Sequence, residues 1–122
     1  MNKKILVVDD DPDIVELTKT ILELDGFEVI TASGGGKCLQ ILESEEVDLV
    51  LLDIMMPEIS GWDVAAKIKE NPKWKTIPII FLTAKGDTMS VGMGGLAADD
   101  YIVKPFNIED LKNRVNRILD KS

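Results

Sequence analysis

Apolar positions along this chain fall into two alternating rhythms. Five short runs have strand length: about Lys4 to Val8, Glu28 to Ala32, Leu49 to Leu52, Ile79 to Leu82 and Asp100 to Val103. The runs Ile5-Leu6-Val7-Val8, Leu49-Val50-Leu51-Leu52 and Ile79-Ile80-Phe81-Leu82 are continuously apolar. That is the pattern of strands buried on both faces of a parallel sheet. The stretches between them have a helical period. The first helix takes Asp11 as N-cap and Pro12 at its first position, with Ile14, Leu17, Ile21 and Leu22 on its buried stripe. Gly26 ends it at a left-handed position. The second turns Cys38, Leu39 and Leu42 inward after the loose run Gly34-Gly35-Gly36. The third runs from about Trp62 to Glu70, with Val64, Ala65 and Ile68 inward, and Asn71-Pro72 breaks it. A fourth, after Leu82, is poorly encoded, because Gly92, Gly94 and Gly95 each cost up to about 1 kcal/mol in a helix interior. The last opens with Asn107 as N-cap and Asp110 three residues on, and buries Leu111, Val115, Ile118 and Leu119. Strands alternating with helices predict an α/β fold, a (βα)5 doubly wound parallel five-stranded sheet. No repeat or linker interrupts it, so residues 1–122 are expected to form a single domain.

Charge and composition narrow the chemistry. The 122 residues are 45% hydrophobic and 30% charged, and the net charge is −8. That charge argues against direct nucleic-acid binding by this domain and against an anionic membrane surface. No apolar run approaches the roughly 20 residues that span a bilayer, and no signal-type start is present. The expected location is cytoplasmic. The chain has no histidine, which excludes a histidine base, metal ligand or phosphocarrier within it. Cys38 is alone and sits on an apolar helical stripe, the pattern of a buried thiol.

Candidate chemistry gathers where the strands end. In open α/β sheets the ligand crevice lies beyond the carboxyl ends of the strands. Asp9, Asp10 and Asp11 follow the first run and Asp53 the third, while Thr83 ends the fourth and Lys104 the fifth. Like charges about 4 Å apart cost roughly 4 kcal/mol per pair at an effective dielectric near 20, so a cation is expected among the carboxylates. Oxygen donors without His or Cys select Mg²⁺, Mn²⁺ or Ca²⁺. An incomplete carboxylate set suits Mg²⁺ best, with Mn²⁺ as a second option. A hydroxyl and an ammonium aimed at the same point suit phosphate oxygens. Together they describe a phosphoryl site in which a carboxylate can be the nucleophile. Asp11, with Pro12 behind it, reads as a helix cap rather than a ligand.

Four motifs in order carry a resemblance across essentially the whole chain. Leu-Val-Val-Asp-Asp, Leu-Leu-Asp-Ile-Met-Met-Pro with Gly61, Phe-Leu-Thr-Ala and Asp-Tyr-Ile-Val-Lys-Pro-Phe resemble the receiver domain of two-component response regulators, chemotaxis regulators included. The resemblance implies a flavodoxin-like sheet of order 2-1-3-4-5. It also implies that Asp53 accepts a phosphoryl group from a phosphohistidine on a sensor kinase or phosphotransfer protein. Asp10, Asp53 and the Met55 backbone carbonyl would hold Mg²⁺, with Asp9 reaching it through water. Thr83 and Lys104 would bind phosphoryl oxygens, Thr83 and Tyr101 would form the switch, and Pro105 would follow a cis bond. Such a protein is no conventional enzyme: it catalyses its own phosphorylation and slow autodephosphorylation. Its signal would leave through the face built by the fourth helix, fifth strand and fifth helix, towards a partner or a missing output domain. The oligomeric state would be a monomer or a phosphorylation-dependent dimer.

Some positions depart from the family pattern. Met55 and Lys85 flank the path of a hydrolytic water, and neither offers an oxygen that could orient it, so a long-lived phosphoryl group is expected. Ala97 replaces a usual glycine. Asp99, Asp100, Asp110 and Arg114 resemble the charged dimer face of winged-helix regulators, but Met89-Ser90-Val91 supplies no basic partner, which favours a stand-alone or non-DNA-binding regulator. The rival reading is an aspartate-nucleophile phosphatase of haloacid dehalogenase type. Asp9-x-Asp11 fits its opening, but Asp13 follows where that family places Thr or Val.

Overall fold

The computed structural model describes residues 2–84 and 99–120. Five strands, β1 (Lys4–Val8), β2 (Glu28–Ala32), β3 (Leu49–Asp53), β4 (Ile79–Ala84) and β5 (Asp100–Lys104), form one sheet in the order β2-β1-β3-β4-β5. All four pairings are parallel. Helices α1 (Pro12–Leu24), α2 (Gly35–Ser44), α3 (Gly61–Glu70) and α4 (Ile108–Asp120) are the helices of the described residues. The weakly encoded helix expected after β4 lies outside the described residues, as do Lys85, Met89-Ser90-Val91 and Ala97.

Strand periodicity splits the core in two. Ile5, Val7, Leu49, Leu51, Ile80, Leu82 and Ile102 pack with α1 and α4 through Ile21, Leu22, Leu111, Val115 and Leu119. Their neighbours Leu6, Val8, Val50, Leu52, Ile79 and Phe81 pack on the other face with Cys38 and Leu42 of α2 and Val64, Ala65 and Ile68 of α3. The central strands are covered on both sides, which is why their sequences lack alternation. Burial pushes the Cys38 thiol up to about 12, so it packs as a small apolar group.

Local signals explain the helix boundaries. The Asp11 carboxylate accepts from the Asp13 N–H, Ser60 Oγ accepts from the Asp63 N–H, and Asn107 Oδ1 accepts from the Glu109 and Asp110 N–H groups. Gly26, with φ of 94°, turns the chain from α1 into β2. No helix among the described residues is long and apolar enough to cross a membrane.

Three expectations need correction. Leu17 is not on the buried stripe of α1: it is 46% exposed, and Thr18 is buried in its place. Both lie one turn from Ile14, and apolarity alone favours the leucine. The Gly34-Gly35-Gly36 run is not loose, since Gly35 and Gly36 form the first turn of α2. Finally, β3, β4 and β5 extend beyond their apolar runs through Asp53, Ala84 and Lys104, taking in Asp53, Thr83 and Lys104, residues whose polarity suggests loop.

Candidate phosphoryl and metal site

Parallel register aligns the carboxyl ends of the central strands. Val8 pairs with Leu52, Asp53 with Leu82, and Ala84 with Lys104, so Asp9, Asp53, Thr83 and Lys104 share one edge of the sheet. Asp9 is fixed by its own backbone, whose N–H donates to Ala32 C=O, and its Oδ1 accepts from the Asp11 N–H at 3.0 Å. Asp9, Asp53 and Thr83 are buried, whereas Asp10 is exposed.

Carboxylate oxygens of Asp9, Asp10 and Asp53 lie within 4.8 Å of one another. Lys104 Nζ bridges two of them, donating to Asp9 Oδ2 at 3.1 Å and to Asp53 Oδ1 at 3.2 Å. Burial, then the Asp9 charge, push the Asp53 carboxyl up to about 7 against the pull of Lys104. Burial works against the Lys104 charge too, but Asp9 and Asp53 outweigh it and hold the ammonium above the ordinary lysine range. One ammonium therefore does not neutralise the cluster. The oxygen-only donor set, open towards solvent at Asp10, fits a hard divalent cation that keeps some of its waters.

The remaining expected residues are placed as follows. Thr83 Oγ1 donates to the Ala84 carbonyl at 3.2 Å, in the strand beside Asp53. Tyr101 stacks on Phe81 with ring centroids 5.8 Å apart, and Phe81 meets Trp62 edge-on at 4.5 Å, so the ring chain links α3, β4 and β5. Tyr101 is half-buried. Pro105 follows a cis peptide bond. Met55 follows β3 in a loop closed at its base by the Gly61 N–H to Ile54 C=O bond of 2.8 Å. A Cβ on Gly61 would collide with the Asp53 carbonyl and lie 2.8 Å from Ile54 Cα, so no side chain fits there. Arg114 donates to Asp100 at 2.7 Å and to both oxygens of Asp110, so these three residues are paired within the chain.

Sequence reasoning missed the support of the β3–α3 loop. Glu58 has φ of 71°, and the Ile59 N–H donates to Pro57 C=O at 2.8 Å across it. That closure with a positive φ belongs to the rare, strained kind of γ-turn. Pro57 is a turn residue, but nothing in the local sequence marks Glu58 for this conformation.

The chain matches the family model described as the response regulator receiver domain over residues 5–116. It is 43% identical to the alkaline phosphatase synthesis transcriptional regulatory protein PhoP of Bacillus subtilis, over 100% of this chain and 50% of that protein. It is 42% identical to the transcriptional regulatory protein CpxR of Escherichia coli, over 98% of this chain and 50% of that protein. The chain thus spans about half the length of the curated relatives it matches. Among solved structures, the response regulator TrrA of Thermotoga maritima in complex with Mg²⁺-BeF superposes with a TM-score of 0.87 at 46% identity, over 96% of this chain and 99% of that one. A response regulator from Chloroflexus aurantiacus superposes with a TM-score of 0.94 at 35% identity, over 98% of this chain and 99% of that one. These matches support the phosphoacceptor reading and not the haloacid dehalogenase one. On sequence, topology and the acidic edge of its sheet, the chain belongs to the response regulator receiver domain family of two-component systems.

Proposed function

We propose that Asp53 is the phosphoacceptor of this receiver domain and that Mg²⁺ sits among Asp10, Asp53 and the Met55 carbonyl, with Asp9 behind it. The observation that carries the reading is the Lys104 bridge between Asp9 and Asp53, inside a carboxylate cluster that one ammonium leaves incompletely neutralised. When bound, Mg²⁺ supplies charge neutralisation for the phosphoryl oxygens. An ionised Asp53 oxygen attacks the phosphorus of a phosphohistidine on a sensor kinase or phosphotransfer partner. The phosphorus–nitrogen bond breaks, and the leaving imidazole nitrogen takes up a proton. Lys104 exchanges a carboxylate contact for a phosphoryl oxygen, and the Thr83 hydroxyl turns from Ala84 C=O towards another. Tyr101, which pairs with Phe81 two residues before Thr83, follows it and changes the face that β5 forms with α4.

The relatives named as transcriptional regulators are about twice as long as this chain, which favours an output domain joined to the receiver over the stand-alone regulator that the lack of a basic residue in Met89-Ser90-Val91 suggests. The test is incubation with Mg²⁺ and a small acyl phosphate. One acid-labile phosphoryl group per chain is expected, with none on Asp53→Asn and none in chelator. Undiminished labelling of that variant would overturn the assignment.

A further inference from the structure

The loop after Asp53 is held at two points. Its base is the Gly61–Ile54 bond, where the absence of a side chain lets α3 start directly against the β3 backbone. Its far side is held from another element. A Cβ on Gly35, in the first turn of α2, would collide with Ile59 Cγ2 and would lie 2.6 Å from Val64 Cγ2. Both methyls branch from Cβ of residues stiff at χ1, so neither can swing away as the tip of a long chain would. Val64 is completely buried in α3, which leaves Ile59 as the residue that would have to move. Ile59 also closes the strained turn at Glu58. Backbone in such a conformation persists only where its surroundings over-determine it.

We propose that Gly35 is a positioning residue for the phosphoacceptor loop: its missing side chain forms the slot that seats Ile59, and seated Ile59 fixes the course of residues 54–60, Met55 included. The inference rests on the reading that the Met55 carbonyl faces the metal. Gly35 touches no reacting group and acts through Ile59. Its neighbour Gly36 has open space where its Cβ would stand, which supplies an internal control in the same helical turn.

The experiment compares Mg²⁺ affinity, acyl-phosphate labelling rate at saturating Mg²⁺ and thermal stability for the wild type, Gly35→Ala, Gly36→Ala, Ile59→Ala and the Gly35→Ala/Ile59→Ala pair. Gly35→Ala is expected to weaken Mg²⁺ binding by about tenfold, as loss of an outer support does in metal sites. Gly36→Ala should leave affinity unchanged. Ile59→Ala removes the anchor without a clash and should weaken binding as well, so the idea stays testable if Gly35→Ala fails to fold. On the Ile59→Ala background, adding Gly35→Ala should cost less than it does alone, the signature of residues acting through one contact. Lower stability with wild-type Mg²⁺ affinity in Gly35→Ala, unchanged affinity in Ile59→Ala, or full additivity in the pair would each overturn the proposal. A wild-type protein that binds no Mg²⁺ would instead sink the site reading beneath it.

Discussion

Met55 is 65% exposed beside the proposed acceptor, an apolar side chain where an oxygen could orient water. Hydrolysis of an aspartyl phosphate needs a water in line with the bond to phosphorus and a group that accepts or orients its protons. A thioether is a weak acceptor, so it would orient such a water poorly. Met55→Asn is therefore expected to speed decay of the phosphorylated protein in Mg²⁺, by up to roughly 100-fold, the low end of what a positioned proton acceptor contributes. Decay followed by loss of label gives the answer, and an unchanged or slower rate would refute the water-orientation explanation. The same scale shows what sequence can reveal. Asp53, Thr83 and Lys104 are legible because a polar residue at the end of an apolar run must lie at the sheet edge. Gly35 and Ile59 are not, because their relation exists only once α2 and the β3–α3 loop are packed together.

At the scale of elements, α1 carries a local conflict. Thr18 is completely buried, and its Oγ1 has no hydrogen-bond partner. Replacing a buried, unpaired hydroxyl with a methyl of the same shape removes a desolvation cost. Thr18→Val is expected to stabilise the protein by about 1 kcal/mol, read from denaturant or thermal unfolding. A destabilised variant would show that the hydroxyl has a role in the native state. The number and positions of the strands were legible from the apolar runs and the helix starts from Asp11 and Asn107, whereas the strand order within the sheet came only from the resemblance to the receiver family. The inward face of α1 was less so, since Leu17 and Thr18 are both one turn from Ile14 and only packing against the sheet decides between them.

For the whole molecule, the acidic edge links metal, pH and stability. The folded-state Asp53 carboxyl is raised from 3.8 to about 7, by burial and then by Asp9, so the native state holds a proton that the unfolded chain has released. Its stabilising contribution is full below the unfolded value and is lost as pH rises through about 7. Mg²⁺ binds the ionised cluster and stabilises the native state by mass action. Stabilisation by a fixed Mg²⁺ concentration should therefore grow between about pH 5 and about pH 8, as melting curves with and without chelator would record. An equal metal effect across that window would contradict the coupling. The measurement that tests the central claim most directly is reductive trapping of the phosphorylated protein with borohydride, which converts an aspartyl phosphate to homoserine, followed by peptide mass mapping. The account predicts homoserine at position 53 alone, and only when Mg²⁺ was present during labelling. Homoserine at another carboxylate, or at position 53 irrespective of metal, would contradict it.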